Sequence, residues 1–268
     1  MAGSGSTHPG RWLSCKLRGH VLETQGRAYV KKWHQRIQHD PPLWSALVNP
    51  HFLPRRALHA AMRKAACFLC GHVLDVGCGK QPYRNLLSHA SNVTGIEIDT
   101  PISRANSRAD IFYSGAILPF DNEVFDSIIC NQVLEHAKDG TLFLHELHRV
   151  LAPDGILVLS VPFVWPEHEQ PHDHRRLTSY GLEQLLHDAG FTVLQQYKLV
   201  SGVAAIAALL ADWIGETLRP APFVLRIPLR AIMIAPVSWL GAIIDHWQRH
   251  GNPSLYLDNF VVAQRTAA

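Results

Sequence analysis

Two stretches of this chain bring together residue types that can do chemistry. In the first, the apolar run His72-Val73-Leu74-Asp75-Val76 ends in Gly77-Cys78-Gly79, and Glu97 stands near the end of the next apolar run, residues 92–98. A glycine turn after a parallel strand lets a ligand approach the backbone, and a helix expected over residues 83–89 would offer it unpaired N–H groups. The charges narrow the choice of ligand. Pro82 occupies the third glycine position, so the dinucleotide fingerprint G-x-G-x-x-G is incomplete, and Asp75 would repel a pyrophosphate but attract a cation. The second stretch is residues 162–176, which gathers three His, three carboxylates and two Arg within residues 167–176.

The surrounding pattern supplies the frame. Apolar runs at 72–76, 92–98, 125–130, 155–161 and 191–199 read as strands, and 140–151 and 178–189 read as helices between them. Strands apolar on both faces and separated by helices mark a parallel sheet covered on both sides. Thr178 can cap the helix it precedes, Leu182, Leu185 and Leu186 give that helix one apolar stripe, and Gly190 ends it. The run 259–264 is expected to return as a partner of the 191–199 strand. Both chemical stretches follow strands at their carboxyl ends, where open α/β sheets bind ligands.

S-adenosylmethionine suits the first stretch, since it carries a sulfonium and an ammonium where a dinucleotide carries phosphates. Glu97 stands where a carboxylate can accept hydrogen bonds from both ribose hydroxyls. That spacing is shared with nicotinamide-dependent oxidoreductases, so an NAD-dependent enzyme is an alternative, as is a non-catalytic binding protein of the same fold.

Val73-Leu74-Asp75-Val76-Gly77-Cys78-Gly79 resembles the first motif of the class I S-adenosylmethionine-dependent methyltransferases, and more closely the type 11 methyltransferase domain. Further matches follow in order: Gly95-Ile96-Glu97-Ile98-Asp99, Leu118-Pro119-Phe120 with Phe125-Asp126, Val133-Leu134-Glu135-His136, the run 146–155, and Ala189-Gly190-Phe191. The resemblance spans about residues 70–199 plus the final strand. It implies a doubly wound α/β fold with a mostly parallel, seven-stranded Rossmann-like sheet whose last strand is antiparallel. It implies that Asp75, Gly77, Cys78 and Gly79 bind the methionine portion and Glu97 the ribose. Ile98, Ala116 and Ile117 would flank the adenine, although no acidic residue stands near Ser114 to meet its amine. Asn131 would face the methyl-donor end, with His136 on the following turn, and Asp126 would have a structural job at its strand start.

The histidine-rich stretch has three readings. It can be a metal site, but no helical i, i+4 His pair or known ligand spacing appears, and no metal is assigned. It can be a charged surface loop. The third reading is an acceptor-binding loop. Methyl transfer from a sulfonium is an in-line displacement in which positioning does most of the work and a base takes the acceptor's proton. His172, Asp173, His174 and His136 are then the candidate catalytic residues. A similar His, Pro, Asp, Arg and Thr pattern in a bacterial branch of type 11 domain proteins implies a small-molecule, sugar or lipid-linked glycan acceptor.

With 268 residues, 47% hydrophobic and 18% charged, the chain is an ordinary globular protein rather than a disordered, collagen-like or coiled-coil one. Residues 1–70 hold eleven Lys/Arg against two Asp/Glu, but without the aromatic interleaving of a nucleic-acid groove, so a nucleic-acid partner is not expected. The expected organisation is a disordered tail (1–26), a basic helical extension (27–70), the cofactor-binding core (71–199), an apolar helical insertion (200–253) and a final strand with its tail (254–268). In the insertion, charges and prolines interrupt segments that approach the length of a bilayer span, which favours helices packed on the domain or lying in a membrane interface. Five cysteines without a regular framework fit a reducing compartment, and the Cys67-Phe-Leu-Cys70 pair reads as two small buried apolar groups rather than half a zinc site. A cytoplasmic location follows, with peripheral contact through 200–244 at the inner face of a membrane.

Overall fold

The computed structural model describes residues 39–115, 117–247 and 253–266. The expected tail over 1–26, the start of the basic extension, and Ala116 lie outside the described residues. One sheet of seven strands runs in the order β3-β2-β1-β4-β5-β7-β6. Its members are β1 (Gly71–Val76), β2 (Ala90–Ile98), β3 (Ile111–Tyr113), β4 (Phe125–Asn131), β5 (Leu151–Pro162), β6 (Phe191–Ser201) and β7 (Tyr256–Arg265). The pairs from β3 through β5 are parallel, and β7 inserts antiparallel between β5 and β6.

The two-residue period of each strand divides its side chains between two apolar layers. Leu74, Val76, Ile128, Cys130, Leu157 and Leu159 join one layer with α3 (Gly140–Val150) and α4 (Ser179–Asp188). Val73, Ile129, Val158, Phe260 and Val262 join the other, covered by Leu58, Ala61, Met62 and Ala65 of α1 (Phe52–Ala65). Each fully buried aliphatic side chain contributes roughly 1.5–3 kcal/mol, so both layers hold the central strands in register. The helix starts follow local chemistry. Asp139 accepts from Leu142 N–H and Thr178 from Gly181 N–H, each meeting one of the orphan donors of a first turn.

The glycine turn is not followed by an α-helix. Residues 83–89 hold only the 3₁₀ turn Arg84–Leu86, because the chain uses residues 77–82 for tight turns, with Gln81 at φ +53°, before β2 begins at Ala90. The short helix α2 (Pro101–Asn106), capped by Thr100, and the three-residue β3 carry too few residues to show a period. Cys67 and Cys70 correct another expectation, since both are exposed, where the chain leaves α1 for β1.

Between β6 and β7 lie α5 (Val203–Thr217) and α6 (Phe223–Trp247), which pack on each other and on residues 43–53. A Cβ on Gly215 would come within 2.9 Å of Pro50, and one on Gly241 within 2.7 Å of Leu53. Only these small residues let the helices approach so closely. One stretch of α6, Val224–Asp245, is long and apolar enough to cross a membrane, with mean hydropathy 1.8 and 17% of it buried.

Candidate functional site

The carboxyl ends of β1, β2, β4 and β5 meet along one edge of the sheet. At the end of β1, Gly77 and Gly79 have φ of +63° and +47°, and the N–H groups of Gly77 and Cys78 both donate to Ile96 O at 2.9 and 3.2 Å. A Cβ on Gly77 would lie 2.4 Å from Val133 Cγ2, whereas one on Gly79 would meet nothing within 4 Å. The first glycine is therefore required by packing, and the second borders open space. Glu97 joins the loop to β2: Oε2 accepts from Gly79 N–H and Oε1 from Ile98 N–H, both at 3.0 Å.

Asp75 is 5% exposed. Burial, reinforced by the charge of Glu97 and opposed by Arg84, pushes its carboxyl up to about 7. Cys78 packs its sulfur under Gly95, where a Cβ would come within 2.9 Å of it, and burial followed by the charge of Asp75 pushes the thiol up to about 12. The thiol is thus buried and held in its protonated form. On the far side of β2, Ile98 and Ile117 are 44% and 62% exposed, and Ile98 Cδ1 would lie 3.1 Å from a Cβ on Gly115.

At the end of β4, Asn131 Oδ1 accepts from Ser160 Oγ at 2.7 Å, and the buried Tyr83 hydroxyl also bonds Asn131. Gln132 Nε2 donates to Ser160 Oγ and to Asp258 Oδ1 at 3.1 and 3.2 Å. Burial pushes the Asp258 carboxyl up to about 7, with the bond from Gln132 opposing. Tyr83, Ser160, Gln132 and Asp258 are absent from the sequence-based candidates. Asp258 carried a signal all the same, as a lone acid within the apolar strand β7.

The histidine-rich loop docks on the turn after β4. His174 N–H donates to Glu135 O at 2.9 Å, and Arg175 donates to Leu134 O and Lys138 O. His136 Nδ1 lies 3.1 Å from His172 O, and because a carbonyl only accepts, that nitrogen carries the proton. Asp173 holds the loop together: both oxygens pair with Arg176 at 2.6 Å, and one also accepts from His168 N–H at 3.0 Å. The Arg176 guanidinium holds the Asp173 carboxyl well below the usual carboxylate range. Both Asp173 oxygens are thus engaged in bonds that hold the loop. His172 and His174 point to the outer surface, while His136 is half-buried.

The edge is lined by the carboxyl groups of Asp75, Glu97 and Asp258. Among the described residues no α-helix starts at the glycine turn, so a pyrophosphate would meet Asp75 and Glu97 without a helix N-terminus to offset them. A cationic nucleoside with a ribose diol fits Asp75, Glu97 and the open space at Gly79, which is the donor set S-adenosylmethionine needs.

A doubly wound sheet of this strand order, with an acid-edged glycine loop at its first crossover, defines the class I, Rossmann-like methyltransferase fold. Residues 74–159 match a family model described as a methyltransferase domain, and the chain carries a class I S-adenosylmethionine-dependent methyltransferase domain. A probable S-adenosylmethionine-dependent methyltransferase of Mycolicibacterium smegmatis is 32% identical over 133 residues, 45% of this chain and 52% of that protein. A ubiquinone biosynthesis O-methyltransferase of Actinobacillus pleuropneumoniae is 31% identical over 127 residues, 41% and 53% of the two chains. The chain thus spans about half the length of these curated relatives. The crystal structure of the [4+2]-cyclase SpnF shares the fold at TM-score 0.52 and 19% identity, covering 79% of this chain and 81% of that one.

Proposed function

We propose that this protein transfers a methyl group from S-adenosylmethionine to an oxygen of a small-molecule acceptor, a sugar or lipid-linked glycan being the acceptor class we favour. The observation that carries this reading is the carboxyl-lined cradle of Asp75 and Glu97 around Gly79, with no α-helix among the described residues starting at its turn. When bound, the cofactor supplies an electrophilic methyl on a sulfonium. Asp75 would hold its cationic end, Glu97 would exchange the Gly79 and Ile98 amides for the ribose hydroxyls, and Asn131 would face the methyl. Ser160 and Tyr83 fix the Asn131 side chain, so the donor end meets a rigid wall. The acceptor's hydroxyl belongs beside His136, where its proton must leave. The relative from Actinobacillus pleuropneumoniae, named for O-methylation in ubiquinone biosynthesis, supports a small-molecule oxygen acceptor.

Calorimetry should show S-adenosylhomocysteine binding more tightly than NAD, and labelled methyl should then pass to an acceptor in a panel of glycans, lipid-linked glycans and quinols. Tighter NAD binding would make the protein an oxidoreductase. Cofactor binding without transfer to any acceptor would make it a binding protein of this fold, a real contrast because SpnF shows that one sheet serves different reactions.

A membrane-side location is supported by the apolar face of the α5 and α6 pair. Trp213, Val224, Ile232, Leu240 and Ile243 are each more than half exposed, and so many large apolar groups on one helical pair are uncommon on a water-facing surface. We expect the protein to float with anionic liposomes and the Val224→Glu/Ile232→Glu/Leu240→Glu variant to stay at the bottom of the gradient. Equal flotation of parent and variant would refute the contact.

A further inference from the structure

The fold brings Glu135, His136 and His168 together from two separate loops, with one potential ligand atom of each within 4.8 Å of the others. Glu135 is fully buried, yet neither carboxylate oxygen has a hydrogen-bond partner. A buried charged group without partners is costly, and a paired proton or a cation is what relieves it. The two histidines are set up to face the same point. The proton on His136 Nδ1, held by His172 O, leaves Nε2 with its lone pair, and that Nε2 lies 3.9 Å from both Glu135 Oε1 and Glu169 Oε2. A lone pair this close to two carboxyl groups calls for a shared proton or a cation between them.

His168 is oriented in the same manner. Its Nδ1 lies 3.2 Å from Asp173 Oδ2 and 3.3 Å from Pro166 O, so Nδ1–H is the donor and Nε2 is left for a ligand role. A carboxylate behind one imidazole and a carbonyl behind the other are the outer supports that metal-binding histidines use to fix tautomer and ring orientation. The His136 and His168 rings meet edge to face at 4.8 Å. Arg176, whose positive charge reaches Glu135, is itself paired with Asp173 and does not fill the need.

We infer that Glu135, His136 and His168 bind a divalent transition-metal cation of the zinc type, with a fourth position open to an acceptor oxygen or water. Two imidazoles and one carboxylate are a donor set of open zinc sites, and mixed N/O donors of this kind disfavour magnesium and calcium. Metal–ligand distances of about 2.0–2.2 Å require the two loops to close on the ion from their present spacing. Glu169 Oε2, 3.9 Å from His136 Nε2, stands beside the site without belonging to the three-ligand cluster.

The role of the ion rests on methyl transfer to oxygen. A hydroxyl bound at the open position releases its proton to solvent, its oxygen forms the new bond to the methyl carbon as the sulfur–methyl bond breaks, and S-adenosylhomocysteine leaves uncharged at sulfur. A cation lowers the pKa of the oxygen it holds.

The test is a calorimetric titration of the full chain with Zn²⁺ alone, together with visible absorption of the Co²⁺-loaded protein. We expect one tight site per chain. His136→Ala and His168→Ala should each weaken zinc more than about a hundredfold, and Asp173→Asn, which weakens both the support of His168 and the Arg176 pairing that holds the loop, about tenfold or more. Glu135→Gln, nearly isosteric, should abolish the Co²⁺ spectrum even if a histidine variant fails to fold, while His187→Ala should match the parent. Zinc held equally by the parent and by Glu135→Gln or His168→Ala overturns the site. S-adenosylhomocysteine binding, measured on the same samples without metal, separates this failure from failure of the cofactor reading.

Discussion

Gly77→Val is expected to abolish S-adenosylhomocysteine binding. A β-branched residue at φ +63° is a backbone outlier, and its Cβ would sit 2.4 Å from Val133 Cγ2, a contact that must push the turn or the start of the 133–136 segment aside. Backbone strain alone costs about 1–3 kcal/mol, and displacement of the loop removes the Gly79 amide from Glu97 as well. A loss of affinity beyond about a hundredfold, roughly 3 kcal/mol, should appear in calorimetry, with circular dichroism confirming the sheet. Gly79→Ala is the comparison: its Cβ meets nothing in the protein, so its cost to stability is limited to the roughly 1–2 kcal/mol of left-handed backbone at φ +47°, while the methyl occupies the cofactor's space. Parent-like affinity in Gly77→Val would remove this loop from the site.

Asp75→Asn should raise stability and lower affinity at the same time. Burial holds the Asp75 carboxyl near 7 in the folded protein, against 3.8 when exposed. Between about pH 4 and pH 7 the native state thus keeps a proton that the unfolded chain has lost, so stability falls as pH rises through that window and stays low above it. Asparagine cannot ionise. Its melting temperature should exceed the parent's at pH 8, and the gain should vanish below about pH 4. Binding has the opposite sign: a cationic ligand prefers the ionised carboxylate, so the parent's affinity for S-adenosylmethionine should climb as pH rises through about 7, while the variant's stays flat and weak. A pH-independent parent, or no gain in melting temperature at pH 8, would show that Asp75 does not carry the charge assigned to it.

Sequence and structure agree where a single strand or a single turn decides the outcome. Leu74, Ile128 and Leu157 alternate with Val73, Ile129 and Val158 between two apolar layers, and only a sheet covered on both faces buries both sets. The acid and the glycines at the end of β1 belong to one local turn, so their spacing was legible. The 83–89 helix was not, because helical composition there yields to the short path between β1 and β2. Glu135 and His168 were invisible as a pair for a different reason. They come from loops after two strands, and their approach depends on the bonds from the His174 N–H and the Arg175 guanidinium to carbonyls of the 134–138 turn, which no residue spacing reveals. Asp258 joins Gln132 across 126 positions of sequence, again through sheet order alone.

The position of β7 has a consequence for synthesis. It is the last described strand to leave the ribosome, yet it belongs in the middle of the acceptor half, between β5 and β6, and brings Asp258 to Gln132. A nascent chain can lay down β1 to β4, and with them the cofactor loop, while β5 still presents a bare apolar border. Until β7 arrives, that border and the greasy α5–α6 pair are exposed together, and the growing polypeptide is at its most vulnerable to aggregation or to chaperone capture.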